Sequence, residues 1–180
     1  MRFFIPLTLS LLGLLTLSSP AARAAVSLEI PPENKEPGTI AAIQSFDAKA
    51  QRLVDLLNQG QFDAAVDLFF PLEPFKVLKG IAKPEVYHQQ LLQWYRSDLE
   101  DEHMKIGKSW TYVGFKLGSC KWKAKGTEAN ALPYWSCFNS KIMVKNADTA
   151  GVIPVRTLIN WGREWYVTHL HPLPATPNKK

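Results

Sequence analysis

At Gly107 the spacing of apolar residues along this chain changes from the period of a helix to that of a strand, and it does not change back. Before that point Ile43, Phe46, Ala50, Leu53, Val54 and Leu57 recur at steps of three and four, and Gly60 closes the run. Phe62, Ala65, Val66 and Phe69 continue the pattern on a second helix, which Pro71 stops. Residues 75–82 hold Val77, Leu78 and Ile81 and read as a short strand. Pro84 suits the first turn of a third, longer helix carrying Val86, Tyr87, Leu91, Trp94, Tyr95 and Leu99. Beyond Gly107, residues 109–125, 133–146, 152–160 and 163–171 read as strands joined by turns. Gly118 marks a bend or bulge in the first of them, and Pro154 a strand start or a locally unpaired position. The order predicts an α+β domain in which the helices cover the inner face of a four-stranded antiparallel meander.

The N-terminus has a different character. Met1 and Arg2 precede an apolar run from Phe3 to Leu17, followed by small residues that include Ala22 and Ala24. A positive start, an apolar core and an Ala-x-Ala exit predict a signal peptide over residues 1–24, cut before Ala25. Pro6 and Gly13 interrupt the run, which is also shorter than the roughly 20 residues that span a bilayer. No cysteine follows it to take a lipid, and no later stretch reads as a membrane span. The expected location is periplasmic or secreted. Cleavage takes 24 of the 180 residues and leaves 156, enough for one core without staples. The net charge falls from +5 to +3 with the loss of Arg2 and Arg23, too little to indicate nucleic acid as a partner. Residues 25–38 form a proline-rich lead-in, residues 39–172 the single domain, and residues 173–180 a tail.

Cys120 and Cys137 are the two cysteines of the chain. Between them Gly126, Thr127, Glu128, Ala129 and Asn130 make a turn-rich stretch. A hairpin folded symmetrically about Glu128 and Ala129 sets position 120 opposite 137, and Trp122 opposite Trp135. Directly opposed Cβ atoms lie about 4.5–5.5 Å apart, close to disulfide reach. An oxidising compartment then makes a disulfide the expected state.

The order helix, helix, short strand, long helix and curved meander resembles the NTF2-like superfamily, also called cystatin-like or SnoaL-like. Two local stretches carry the resemblance further: Leu56-Leu57-Asn58-Gln59-Gly60-Gln61-Phe62-Asp63-Ala64-Ala65 between the first helices, and Glu164-Trp165-Tyr166-Val167-Thr168-His169-Leu170 in the closing strand. It covers about residues 40–171. It implies a cone-shaped fold with a pocket between sheet and long helix, and often a homodimer across the open sheet face. The superfamily hosts enzymes, transport factors and secretion-system parts, so the resemblance does not select an activity. No catalytic residues transfer from it.

Candidate chemistry is sparse. Gly-x-Ser-x-Gly, His-Glu-x-x-His, calcium-loop and phosphate-loop patterns are absent from the sequence, and no cofactor or metal is expected. His169 and His171, two apart on a strand, point to one face, but a metal would need a third ligand. Asp98, Glu100, Asp101 and Glu102 crowd the end of the third helix, where carboxylates oppose the helix dipole. They read as a solvated loop past the helix end. Lys121, Lys123 and Lys125 alternate with Cys120, Trp122 and Ala124 and read as a solvated sheet face. The binding candidates are Trp94, Tyr95, Asp98, Trp110 and Tyr112, with Trp94 and Asp98 one turn apart on the helix face that looks onto the meander. If Trp94 is buried, its truncation to alanine costs about 3–5 kcal/mol, whereas Asp98→Asn leaves the fold nearly intact.

The leading expectation is a non-enzymatic exported domain that binds a protein partner of the envelope or a small apolar ligand. One alternative is a cofactor-free enzyme of isomerase or dehydratase type with Asp98 or His103 as its base. The other is a periplasmic inhibitor or immunity protein that presents a charged loop.

Overall fold

The computed structural model describes residue 31 and residues 45–106, 109–147 and 149–173. The signal-peptide segment lies outside these residues, as do the lead-in apart from residue 31, the start of the first helical pattern at 39–44, and residues 174–180 of the tail.

Helices come first and strands follow. The helices are α1 (Ser45–Gln59), α2 (Phe62–Ala65), α3 (Leu72–Leu78) and α4 (Pro84–Ile106). The strands are β1 (Thr111–Lys116), β2 (Ser119–Lys123), β3 (Tyr134–Asn146), β4 (Thr149–Trp161) and β5 (Glu164–His169). All strand pairs are antiparallel, in the order β1-β3-β4-β5, with β2 also pairing with β3. The α+β reading and the sequence of helices before sheet are therefore present in the fold.

The predicted first strand is two strands on one edge, which makes five in place of four. Both pair with β3, and the break falls at Leu117 and Gly118. A Cβ placed on Gly118 would lie 1.8 Å from the Phe138 carbonyl oxygen, so only glycine lets the edge pass this close. The Gly118 N–H donates to Ser140 Oγ at 3.1 Å, and Asn139 opposite takes a φ of 57°. Pro154 lies inside β4, not at its start. Two residues on, the Arg156 N–H donates to the Leu170 carbonyl, so alternation aims the Pro154 nitrogen along that same edge, where the paired part of β5 has ended.

Residues 75–82 do not form the expected strand. Pro74, Phe75 and Leu78 are buried together, the spacing of a helix face, and α3 occupies Leu72–Leu78. Pro71 precedes its first turn, and Lys76 reaches back to Glu73 at 3.0 Å. The extended backbone that remains is short. Lys79 bridges to Asn130, the Gly80 N–H donates to Ala129 O at 2.8 Å, and the Ala131 N–H donates to Leu78 O at 2.8 Å.

α1 ends as its sequence requires. Gly60 has a φ of 66°, its N–H donates to Leu57 O, and the Gln61 N–H donates to Leu56 O, which together make a Schellman cap. Asn58 then pairs in both directions with the backbone of Trp110, its Nδ2 donating to Trp110 O at 2.7 Å and its Oδ1 accepting from the Trp110 N–H at 3.1 Å. This one side chain ties the end of α1 to the approach of β1.

α4 runs on through the acidic cluster, which is helical and not a loop. Leu91, Tyr95, Leu99, Glu102 and Ile106 continue one buried stripe at helical spacing. The core fills the space between α1, α3, α4 and the sheet, with Phe46, Phe70, Phe75, Tyr95 and Trp165 among its largest fully buried members. Cys120 and Cys137 are bonded, and β2 pairs with β3 in the register set by symmetry about Glu128 and Ala129, Trp122 facing Trp135.

Candidate functional site

Between α3, α4 and the sheet lies a cavity of about 230 Å³. On β3 its wall is made by Tyr134, Ser136 and Phe138, alternate residues that strand geometry aims at one face. Thr157 and Ile159 of β4 continue that face, and Thr168 and His169 of β5 complete it. Phe75, Leu91 and Tyr87 close the helical side, while Lys79 and Glu128 stand at one end. The lining is mostly apolar, with a few polar groups converging on it, the usual composition of a ligand site.

Three ionisable groups of this cavity, His169, Lys79 and Tyr134, are displaced from their ordinary behaviour. Burial, with the charge of Arg156 as the smaller cause, pushes the His169 imidazole down to about 4, so it is neutral at pH 7. Among the described residues the His169 ring makes no hydrogen bond. Burial lowers Lys79, partly opposed by Glu128. Burial, followed by the Glu128 charge, raises Tyr134 to about 12. Lys79 Nζ donates to Asn130 Oδ1 at 2.6 Å and lies 5.6 Å from the centre of the Tyr134 ring.

A second cavity, also about 230 Å³, adjoins the first and shares His169 and Leu173 with it. Trp94, Asp98 and Asp101 of α4 face His169 and His171 across it. Trp94 and Asp98 do share a helix face that looks onto the sheet. Asp98 is held there by three contacts: Oδ2 accepts from the backbone N–H of Leu170 at 3.2 Å and of His171 at 3.1 Å, and Oδ1 lies 3.1 Å from His171 Nδ1. The other imidazole nitrogen of His171 lies 2.6 Å from Glu102.

The remaining candidates are distributed elsewhere. Tyr95 is fully buried core, its hydroxyl donating to Ala65 O at 3.2 Å. His103 Nδ1 donates to Leu57 O at 2.6 Å and its ring packs edge-on against Phe62, so it caps α1. Trp110 packs over Gly151, where a Cβ would lie 2.6 Å from its ring. Tyr112 hydrogen-bonds Asp47 of α1. Neither Trp110 nor Tyr112 lines the two cavities.

Lys79, Tyr134 and the cavity role of His169 were not among the sequence candidates. The alternation of Tyr134, Ser136 and Phe138 carried a signal, but nothing in the sequence said which sheet face meets α4. Among the described residues no three His, Cys, Asp or Glu side chains gather as a metal site. No helix among them is long and apolar enough to cross a membrane. Comparison of the chain with protein families, with curated proteins and with solved structures gives no match.

Proposed function

We propose that this protein is an exported binding domain of NTF2-like type that holds a small, largely apolar molecule between α4 and the sheet. The observation that carries the reading is the cavity itself. Its walls are aromatic and aliphatic, and the half-buried imidazole of His169, neutral at pH 7, lines it with no hydrogen bond to any described residue. The signal-peptide pattern of residues 1–24 and the Cys120–Cys137 disulfide support the exported location. Helices before a bent antiparallel sheet support the fold type, with α3 standing where the resemblance has a short strand.

The acid–base enzyme reading has less support, because Asp98 and His103 are both engaged in holding the fold. The inhibitor reading loses its acidic loop to α4.

Native mass spectrometry of the protein recovered from its own cell envelope tests the proposal. A bound small molecule is expected, on a chain that begins at Ala25. Thr157→Phe, which fills the cavity from a half-buried wall position, should abolish it. Unliganded protein from the envelope, together with no response to small aromatic amides in titration, would overturn the reading.

A further inference from the structure

We infer that the face of β1, β3 and β4 turned away from α1 docks on an anionic phospholipid surface through Lys116, Lys141, Lys145 and Arg156. Strand alternation isolates this face. On the inner side Phe115 packs against Phe46 of α1, Tyr112 hydrogen-bonds Asp47, and Ile142, Val144, Ile153 and Val155 are buried. The residues between them point the other way and form three cross-strand rows. Lys116, Lys141 and Pro154 make the first, Gly114, Met143 and Val152 the second, and Thr111, Lys145 and Ala150 the third. The middle row is apolar, and its Val152 is 42% exposed.

The charge on this face is of one sign. None of the nine positions is acidic, and Arg156 follows Pro154 by two residues along β4. All four cations are exposed, and none makes an ion pair with a described residue. Asp148, in the turn between β3 and β4, lies outside the described residues. Lys116 stands directly opposite Lys141, an arrangement that destabilises a sheet and that a bound anion would relieve. Lys141 and Arg156 also line one shallow hollow of about 210 Å³ with Val152, Pro154 and Leu170, and no acid lines it.

The make-up of the face selects a lipid surface over other occupants. The cores of protein interfaces are enriched in aromatic residues and depleted in lysine, whereas these rows and Arg156 hold three lysines and no aromatic residue. A symmetric pairing of two copies would set the face against itself and bring its cations together with no acid between them. Lysine and arginine near an anionic bilayer each strengthen binding about fivefold, and exposed apolar side chains between them can enter the headgroup layer.

The test is sedimentation of the purified protein with vesicles of phosphatidylglycerol and phosphatidylcholine in equal parts, and with vesicles of phosphatidylcholine alone. At low salt the partition onto the anionic vesicles should be about fiftyfold the stronger, and about 0.5 M sodium chloride should abolish the difference. Lys141→Gln with Lys145→Gln should weaken binding about twentyfold, and Lys116→Gln with Arg156→Gln should repeat the loss. Lys121→Gln with Lys125→Gln removes the same charge elsewhere and should change binding less than about twofold. Thermal unfolding of each variant checks that it is folded. Equal losses in all three pairs would reduce the effect to net charge and overturn the assignment. No binding to the anionic vesicles would overturn it as well, and capture of polyglutamate in their place would give the face to an acidic protein.

Discussion

Glu102 and His171, 69 positions apart in the chain, meet with Oε1 and Nε2 2.6 Å apart, and the carboxylate is only 2% exposed. Lys105 reaches the same oxygen at 3.0 Å from the next turn of α4. This contact explains how a helix tolerates four acids in its last turns. The charge that most opposes the helix dipole is met from outside the helix by the segment that follows β5.

Truncation of Glu102 should therefore be costly. Glu102→Ala leaves His171 and Lys105 without their shared carboxylate and opens a space beside Leu99 and Ile106. An expected loss of about 1–3 kcal/mol follows from removing a buried carboxylate that is hydrogen-bonded to the His171 ring. Urea unfolding measures it, and a loss below about 0.5 kcal/mol would show that the contact contributes nothing.

Asp98 and Trp94 exchange the ranks their sequence positions suggest. Asp98 anchors two backbone N–H groups after β5, whereas Trp94 is only half-buried on a cavity wall. Asp98→Ala should cost about 2–3 kcal/mol, since hydrogen bonds to a charged acceptor are the stronger kind. Trp94→Ala should cost less, about 1–2 kcal/mol, because part of the ring already meets water. Thermal unfolding of both variants decides the order.

The neutral state of His169 sets a pH dependence. Its folded pKa of about 4 lies below the ordinary value of 6.5, so on acidification the unfolded chain takes up the proton first. Stability is fully present above about pH 6.5 and falls as the pH drops toward 4. At about 1.4 kcal/mol per pH unit, the loss attributable to this ring is on the order of 3 kcal/mol. His88, lowered by burial, acts in the same direction. Urea unfolding from pH 7.5 to 4 should show a shallower slope in His169→Gln, and parallel slopes would count against it.

The Cys120–Cys137 bond closes a hairpin loop in which the cysteines are 17 positions apart. Loop-closure entropy assigns it about 3 kcal/mol. Cys120→Ser with Cys137→Ser should lose about that much, and the denatured, unreduced protein should titrate with no free thiol.

The separation of helices from strands at Gly107, the Gly60 cap, the break at Gly118 and the register of Cys120 on Cys137 were all legible in the sequence. Each rests on interactions between near neighbours: a change of period, a residue with no side chain, a turn about which two strands fold symmetrically. The helical state of residues 72–78 was not legible, because Val77, Leu78 and Ile81 fit a strand as well as a short helix. Burial of Pro74, Phe75 and Leu78 against α4 decided it. Nor could the sequence show that α4 continues through Asp98–Glu102. Local electrostatics argue for stopping there, and the carboxylates are matched by His171 and by backbone N–H groups more than 65 residues away. The cavity belongs to the same class. Lys79, Tyr134 and His169 come from a connection between helices, from β3 and from β5, and only packing of the sheet against α4 brings them around one space. Short-range periodicity determines which elements form, while long-range burial determines which polar groups lose their water and so acquire a function.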